Sequence, residues 1–127
     1  MNSDVHDKSP EELEKCVKEL QKQLQDDPSN IELLMELSSC FRHLDKYNEA
    51  IMIHEQILEK HPNVIDYLFM KGLVLFEATR DEEAIAIFDE ILKKDSNHRD
   101  AMFNKGLALK RLGKKAEAKE CMRKALR

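Results

Sequence analysis

Apolar residues recur every three or four positions along most of the chain, the spacing of one face of an amphipathic helix. Leu34, Leu37 and Phe41 form one such stripe, and Ile51, His54 and Leu58 the next. Polar breaks between stripes carry Asp45, Arg80-Asp81 and Gly113, residues suited to helix ends and turns. The pattern predicts helices over about 31–43, 47–60, 65–77, 81–94, 99–111 and 115–126. An earlier helix is expected within 9–28, with the apolar stripe Leu13, Cys16, Val17, Leu20 and Leu24. Ser9-Pro10-Glu11-Glu12 is a start signal: a capping hydroxyl, proline in the first turn, and a glutamate three residues after the cap. Asp26-Asp27-Pro28 ends it. Residues 1–8 are polar and without periodicity, and are expected to form a disordered tail.

The helices repeat. Asn48-Glu49-Ala50-Ile51, Glu82-Glu83-Ala84-Ile85 and Ala116-Glu117-Ala118-Lys119 stand 34 residues apart, with Leu58, Leu92 and Leu126 in the same register. A period of this length, kept without insertion, marks a stack of two-helix units. Ser38, Gly72 and Gly106 share one register place, where a small residue lets the first helix of a unit approach the second. Ala50, Ala84 and Ala118 are expected to face them. Counting back one period places Cys16 in the alanine register and Pro28 in that of Pro62, so 9–28 reads as the second helix of a unit that lacks its first.

These residues resemble the tetratricopeptide repeat family. The first unit supplies Leu34, Leu37, Ser38, Phe41, Ala50, His54, Ile57 and Pro62. The second supplies Leu68, Gly72, Leu75, Ala84, Phe88 and Ile91, and the third Met102, Gly106, Leu109, Ala118, Met122 and Ala125. Lys71 and Lys105 depart from the usual leucine, His54 from an aromatic and Ser96 from proline. The resemblance implies an all-α, right-handed α-solenoid of antiparallel helix pairs with seven helices. Its single domain would run over 9–127: the N-terminal helix at 9–28, then repeats at 31–64, 65–98 and 99–127.

The resemblance also implies a function, a protein–protein interaction module acting as adaptor or scaffold. In the family the first helices line a concave groove that holds a peptide or helix. Carried over, that face comprises Met35, Ser39, Arg42, Phe69, Leu73, Phe76, Phe103, Leu107, Lys110 and Arg111. Its apolar members suit a protein or peptide ligand with apolar anchors, and Glu32, Asp66 and Asp100 form an acidic rim. A second copy of the chain, giving a homodimer, is the alternative occupant. The chaperone C-terminal carboxylate motif is argued against: where those binders carry Lys and Asn, only Asn104 fits, and Asp100 would repel a carboxylate.

Composition narrows the function further. The net charge of −4 conceals nine Lys or Arg against two Glu in residues 105–127. This basic end offers a docking place for an acidic partner or for nucleic acid, although interleaved aromatics for base stacking are missing and the whole chain is acidic. Lys119, standing where Ile51 and Ile85 stand earlier, gives the last helix the polar face of a terminal repeat and places the stack's end near residue 127 as an expectation. No apolar run reaches the roughly 18–20 residues of a membrane span, and no secretory signal precedes the repeats, so a cytoplasmic protein is expected.

No catalytic constellation occurs. The glycines stand singly, without a phosphate loop, a nucleophile elbow or a zinc-protease helix. Cys40-x-x-His43 lacks the third ligand that zinc needs. Cys16, Cys40 and Cys121 fall on core-facing positions and are expected to be buried thiols. His54 reads as a packed, hydrogen-bonded side chain, and His61 and His98 as loop residues without partners. The chain is therefore expected to be no enzyme, and to carry no cofactor or metal.

Overall fold

The computed structural model describes residues 7–127, all of whose regular elements are helices. They are α1 (Pro10–Asp26), α2 (Ile31–His43), α3 (Tyr47–Lys60), α4 (Ile65–Glu77), α5 (Asp81–Lys94), α6 (Arg99–Arg111) and α7 (Lys115–Ala125). By their internal contacts they group into two compact units, one ending at Lys60 and the other beginning at His61. The first six residues of the expected tail lie outside the described residues. Lys8 is described, and its ammonium donates to the Cys16 sulfur at 2.9 Å.

In the first unit α1 packs on α2, and α2 on α3. The start of α1 is a complete capping box: Ser9 Oγ accepts from the Glu12 amide and the Glu12 carboxylate from the Ser9 amide, each at 3.2 Å. Asn30 caps α2 by accepting from the Leu33 amide. The core gathers Leu13, Leu20, Leu34, Leu37, Cys40, Ala50 and Ile57. Between α2 and α3 lies a buried polar pair, Ser38 Oγ and His54 Nε2, 2.8 Å apart. This hydrogen bond offsets the cost of burying Ser38 Oγ and His54 Nε2.

In the second unit α4 packs on α5, α5 on α6 and α6 on α7. Leu68, Val74, Leu75, Ala84, Phe88, Ile91, Ala108 and Leu109 form its core. The close approach at Gly72 is to Phe88 rather than to Ala84: a Cβ on Gly72 would stand 2.6 Å from the Phe88 ring. Likewise a Cβ on Gly106 would meet Met122 at 2.8 Å, with the Ala118 carbonyl next at 3.3 Å. The small residue thus makes room for the large side chain one turn beyond the alanine. Ser38 and His54 occupy the equivalent places in the first unit, so there the steric fit is replaced by a hydrogen bond.

All three hairpins turn in the same way. Asp45, Thr79 and Gly113 share one register place and adopt φ of 58°, 59° and 82°. The following amide donates back into each first helix, from Lys46 to the Phe41 carbonyl, Arg80 to Leu75 and Lys114 to Leu109. The positive-φ residue itself donates to Arg42, Phe76 or Lys110. This double bond pattern closes the helix end and satisfies carbonyls that the helix leaves open.

Candidate functional site

The residues expected to line the groove are divided between the two units. Met35, Ser39 and Arg42 lie half-buried along α2 of the first. In the second, α4 carries Phe69, Leu73 and Phe76, all half-buried, while α6 carries exposed Phe103, half-buried Leu107, and exposed Lys110 and Arg111.

Their surroundings differ. Phe69 is engaged within the fold, its ring 6.0 Å from that of Phe88 and 5.4 Å from that of His98. Phe76 lies under the guanidinium of Arg111, 4.0 Å from ring centroid to guanidinium carbon. Arg111 also donates to the Phe76 carbonyl and forks onto buried Asp81, with Nε 2.8 Å from one carboxylate oxygen. Asp81 thereby ties the start of α5 to the end of α6, and its hydrogen bonds hold the Arg111 pKa above the ordinary value. Phe103 differs. It keeps 41% of its surface exposed. One turn further along α6, Leu107 is half-buried.

The carboxylates expected at a rim have a local cause for their positions. Glu32, Asp66 and Asp100 each sit second in a helix, where the positive end of the helix dipole favours a carboxylate. The Asn104 amide donates to the Asp100 carbonyl at 2.8 Å, within its own helix.

Lys105 explains one departure from the repeat pattern. Its ammonium pairs with Asp89 on α5 at 2.6 Å, so a half-buried ion pair stands where leucine is usual. Burial alone would lower the Lys105 pKa, but the hydrogen bond and charge of Asp89 outweigh it and the net shift is upward.

Two histidines have partners that the loop reading missed. His98 is the N-cap of α6, its Nδ1 accepting from the Ala101 amide at 3.0 Å, and it packs on Phe69. His61 meets Tyr67 edge-on at 5.7 Å. The preference of N-caps for short polar side chains is the signal that hid His98. Of the cysteines only Cys40 is buried, and burial raises its pKa; Cys16 and Cys121 are half-buried, which corrects the expectation of three core thiols. His43 Nδ1 lies 2.8 Å from the Ser39 carbonyl. Among the described residues no three His, Cys, Asp or Glu side chains gather as a metal site would need, and no helix is long and apolar enough to cross a membrane.

The last hairpin holds a feature of another kind. Between α6 and α7 opens a cleft of about 500 Å³ with an apolar floor of Ala118, Met122 and Leu126 and a rim of Lys110, Lys115, Lys119 and Arg123. Leu126 is 79% exposed.

The arrangement of capped helical hairpins at a 34-residue period agrees with the family model of the coatomer epsilon subunit, which matches residues 10–127. The chain belongs to the coatomer epsilon subunit family. The tetratricopeptide resemblance holds as the type of helical repeat, and this family is the more specific assignment. No curated protein matches the sequence.

Among solved structures the chain is similar to MamA. One, MamA MSR-1, is 23% identical over 89% of this chain and 65% of its own, with a TM-score of 0.73. MamA from Desulfovibrio magneticus RS-1, from residue 41 to its end, is 20% identical over 91% and 65%, with a TM-score of 0.75. A further MamA crystal structure is 20% identical over 99% and 75%, with a TM-score of 0.74. The chain thus spans about 65% of the length of the first two relatives. At this identity the likeness gives the fold: all-α, seven helices among the described residues, of the tetratricopeptide-like α-solenoid class.

Proposed function

We propose that the chain is a protein-interaction module, without chemistry of its own, that receives an apolar anchor of a partner on the first-helix face of its second unit. The observation that carries this is the exposure of Phe103 beside half-buried Leu107, on a helix that buries Leu109 and half-buries Met102. An aromatic left in water by a fold able to bury one is a common anchor of interfaces. Membership in a family of coatomer epsilon subunits supports the reading, since a subunit works by packing against other polypeptides. In this reading Leu73 of α4 and Lys110 and Arg111 of α6 complete the face that receives it. On the first unit Met35, Ser39 and Arg42 of α2 form the corresponding face, and a partner with a second anchor would use it.

The test is a Phe103→Ala, Leu107→Ala variant in affinity capture from native lysate, with light scattering of the purified protein. The variant is expected to keep its helical circular dichroism and to lose its captured partner. Full retention of every partner would overturn the reading. A homodimer in the unmodified protein that the variant dissociates would identify a second copy as the occupant. Phe88→Ala serves as the contrasting core change, since truncating a fully buried Phe costs roughly 3–5 kcal/mol.

A further inference from the structure

The basic cleft of the last hairpin has a counterpart one period earlier whose occupant is visible. The residues of α4 and α5 equivalent to its rim are Phe76, Asp81, Ile85 and Asp89, and the element seated on them is α6. There Asp89 pairs with Lys105, Asp81 with Arg111, and Phe76 takes the Arg111 guanidinium on its ring. The two carboxylates thus meet two cations six residues apart on one helix.

On the α6–α7 face both signs are reversed. Lys115 stands at the place of Asp81, Arg123 at that of Asp89, Lys119 at that of Ile85 and Lys110 at that of Phe76. The apolar floor is kept, with Met122 in the register of Phe88 and Leu126 in that of Leu92. Glu120 holds Arg123 at 2.7 Å, whereas among the described residues no carboxylate pairs with Lys110, Lys115 or Lys119. Lys114 and Lys115 also stand at the start of α7, the positive end of its dipole, with Glu117 as the one acidic residue of that first turn, where α5 carries Asp81, Glu82 and Glu83. A local rule broken without a local gain points to a role in recognition.

We infer that this cleft docks an amphipathic helix of another polypeptide that carries carboxylates six residues apart along its apolar stripe. The helix sits as α6 sits on the preceding hairpin. One carboxylate takes the place of the Arg111 guanidinium and meets Lys115, with Lys119 and Lys110 alongside. The other takes the place of the Lys105 ammonium and faces Arg123. Apolar side chains between them cover Met122 and Leu126. The cleft shares Lys110 with the Phe103 face but none of its apolar side chains, so loss of Phe103 and Leu107 leaves the floor of Ala118, Met122 and Leu126 in place.

The probes are two fluorescently labelled peptides spanning residues 95–112 of this chain, one unmodified and one carrying Lys105→Glu with Arg111→Glu. Anisotropy titrations of the whole protein are expected to show the doubly substituted peptide binding at least about tenfold more tightly, which corresponds to 1.4 kcal/mol. That preference should shrink as added salt screens the charges. A protein variant carrying Lys115→Asp and Arg123→Asp rebuilds the carboxylates of the preceding hairpin and is expected to reverse the preference toward the unmodified peptide. The Phe103→Ala, Leu107→Ala variant should keep the original preference. Equal binding of the two peptides overturns the proposal, as does a preference that the Asp variant does not reverse while its circular dichroism is intact. Displacement of the peptide by a single-stranded oligonucleotide of equal charge would make the cleft a general polyanion site and overturn it as well. So would a dimer of the unmodified protein that the Asp variant dissociates, since the occupant would then be a second copy.

Discussion

At the residue scale the three hairpin turns set one backbone requirement and meet it with three different side chains. The shared place needs positive φ, which Gly113 adopts without cost and Asp45 tolerates, whereas Thr79 is β-branched and disfavoured there. The left-handed conformation costs an L-residue roughly 1–2 kcal/mol, part of which a glycine would return as lost unfolded-chain entropy. Thr79→Gly is therefore expected to stabilise the protein by about 0.5–1 kcal/mol. The Thr79 hydroxyl bonds only the carbonyl of Ala78 beside it, a contact that water replaces. Chemical denaturation of the two proteins checks this, and an unchanged or lower midpoint would show that the threonine contributes something beyond its backbone. Gly113 was legible as a turn residue from sequence. Thr79 was not, because nothing in its chemistry announces a left-handed site.

At the element scale the contact between the two helices of a hairpin is solved in two ways. In the second unit glycine faces a large side chain, Gly72 to Phe88 and Gly106 to Met122; in the first, Ser38 bonds His54. Exchanging one partner alone should fail. His54→Phe crowds Ser38 and strands its buried hydroxyl, while Ser38→Gly leaves the imidazole Nε2 without its partner, each costing about 1–3 kcal/mol. The double change recreates the Gly72–Phe88 pair and is expected to recover most of that loss. A coupling energy above about 1 kcal/mol in the double-mutant cycle checks it, and simple additivity would refute the equivalence of the two pairs. The periodicity gave every helix to within a few residues, since long amphipathic stripes survive averaging over single contacts. It misassigned the partner of the glycines, because a 34-residue register says which residues are equivalent and not which ones touch.

The caps belong to the same scale. The Ser9 amide and hydroxyl, then Lys8 and Lys15, hold the Glu12 carboxylate below its ordinary value of 4.5. A carboxylate with a depressed folded pKa contributes stability above its unfolded value, and that contribution disappears as pH falls through the folded one. The α1 cap is thus intact at neutral pH and weakens below about pH 4.5. Glu12→Gln should lower the thermal midpoint at pH 7 and make no difference near pH 2, measured by circular dichroism. A gap of the same size at both pH values would show that the charge of Glu12 is not what holds the cap.

At the scale of the molecule the charge is unevenly divided. The residues up to Lys60 carry seven Lys or Arg against fourteen Asp or Glu, a net −7, while those from His61 onward carry fourteen against eleven, a net +3. Within the second unit the excess gathers on α6 and α7, where Lys114, Lys115 and Lys119 lie near one another and near the positive end of the α7 dipole. Like charges at such a place oppose folding. Lys115→Glu is expected to raise stability by about 0.3–1 kcal/mol through the dipole alone, and Lys119→Glu to add relief from its neighbours. The gain should fall by more than half between about 0.01 M and 1 M salt, as the Debye length shrinks from roughly 30 Å to 3 Å. Thermal denaturation across that range measures it. The same substitutions are expected to weaken the docking of an acidic helix, so stability and binding should move in opposite directions. A loss of both would mean that Lys115 and Lys119 are structural, held by contacts that their exposure conceals. A gain in stability with docking unchanged would mean that the basic end is merely unoptimised surface, and that the groups of this unit that recognise a partner lie on α4 and the opposite side of α6.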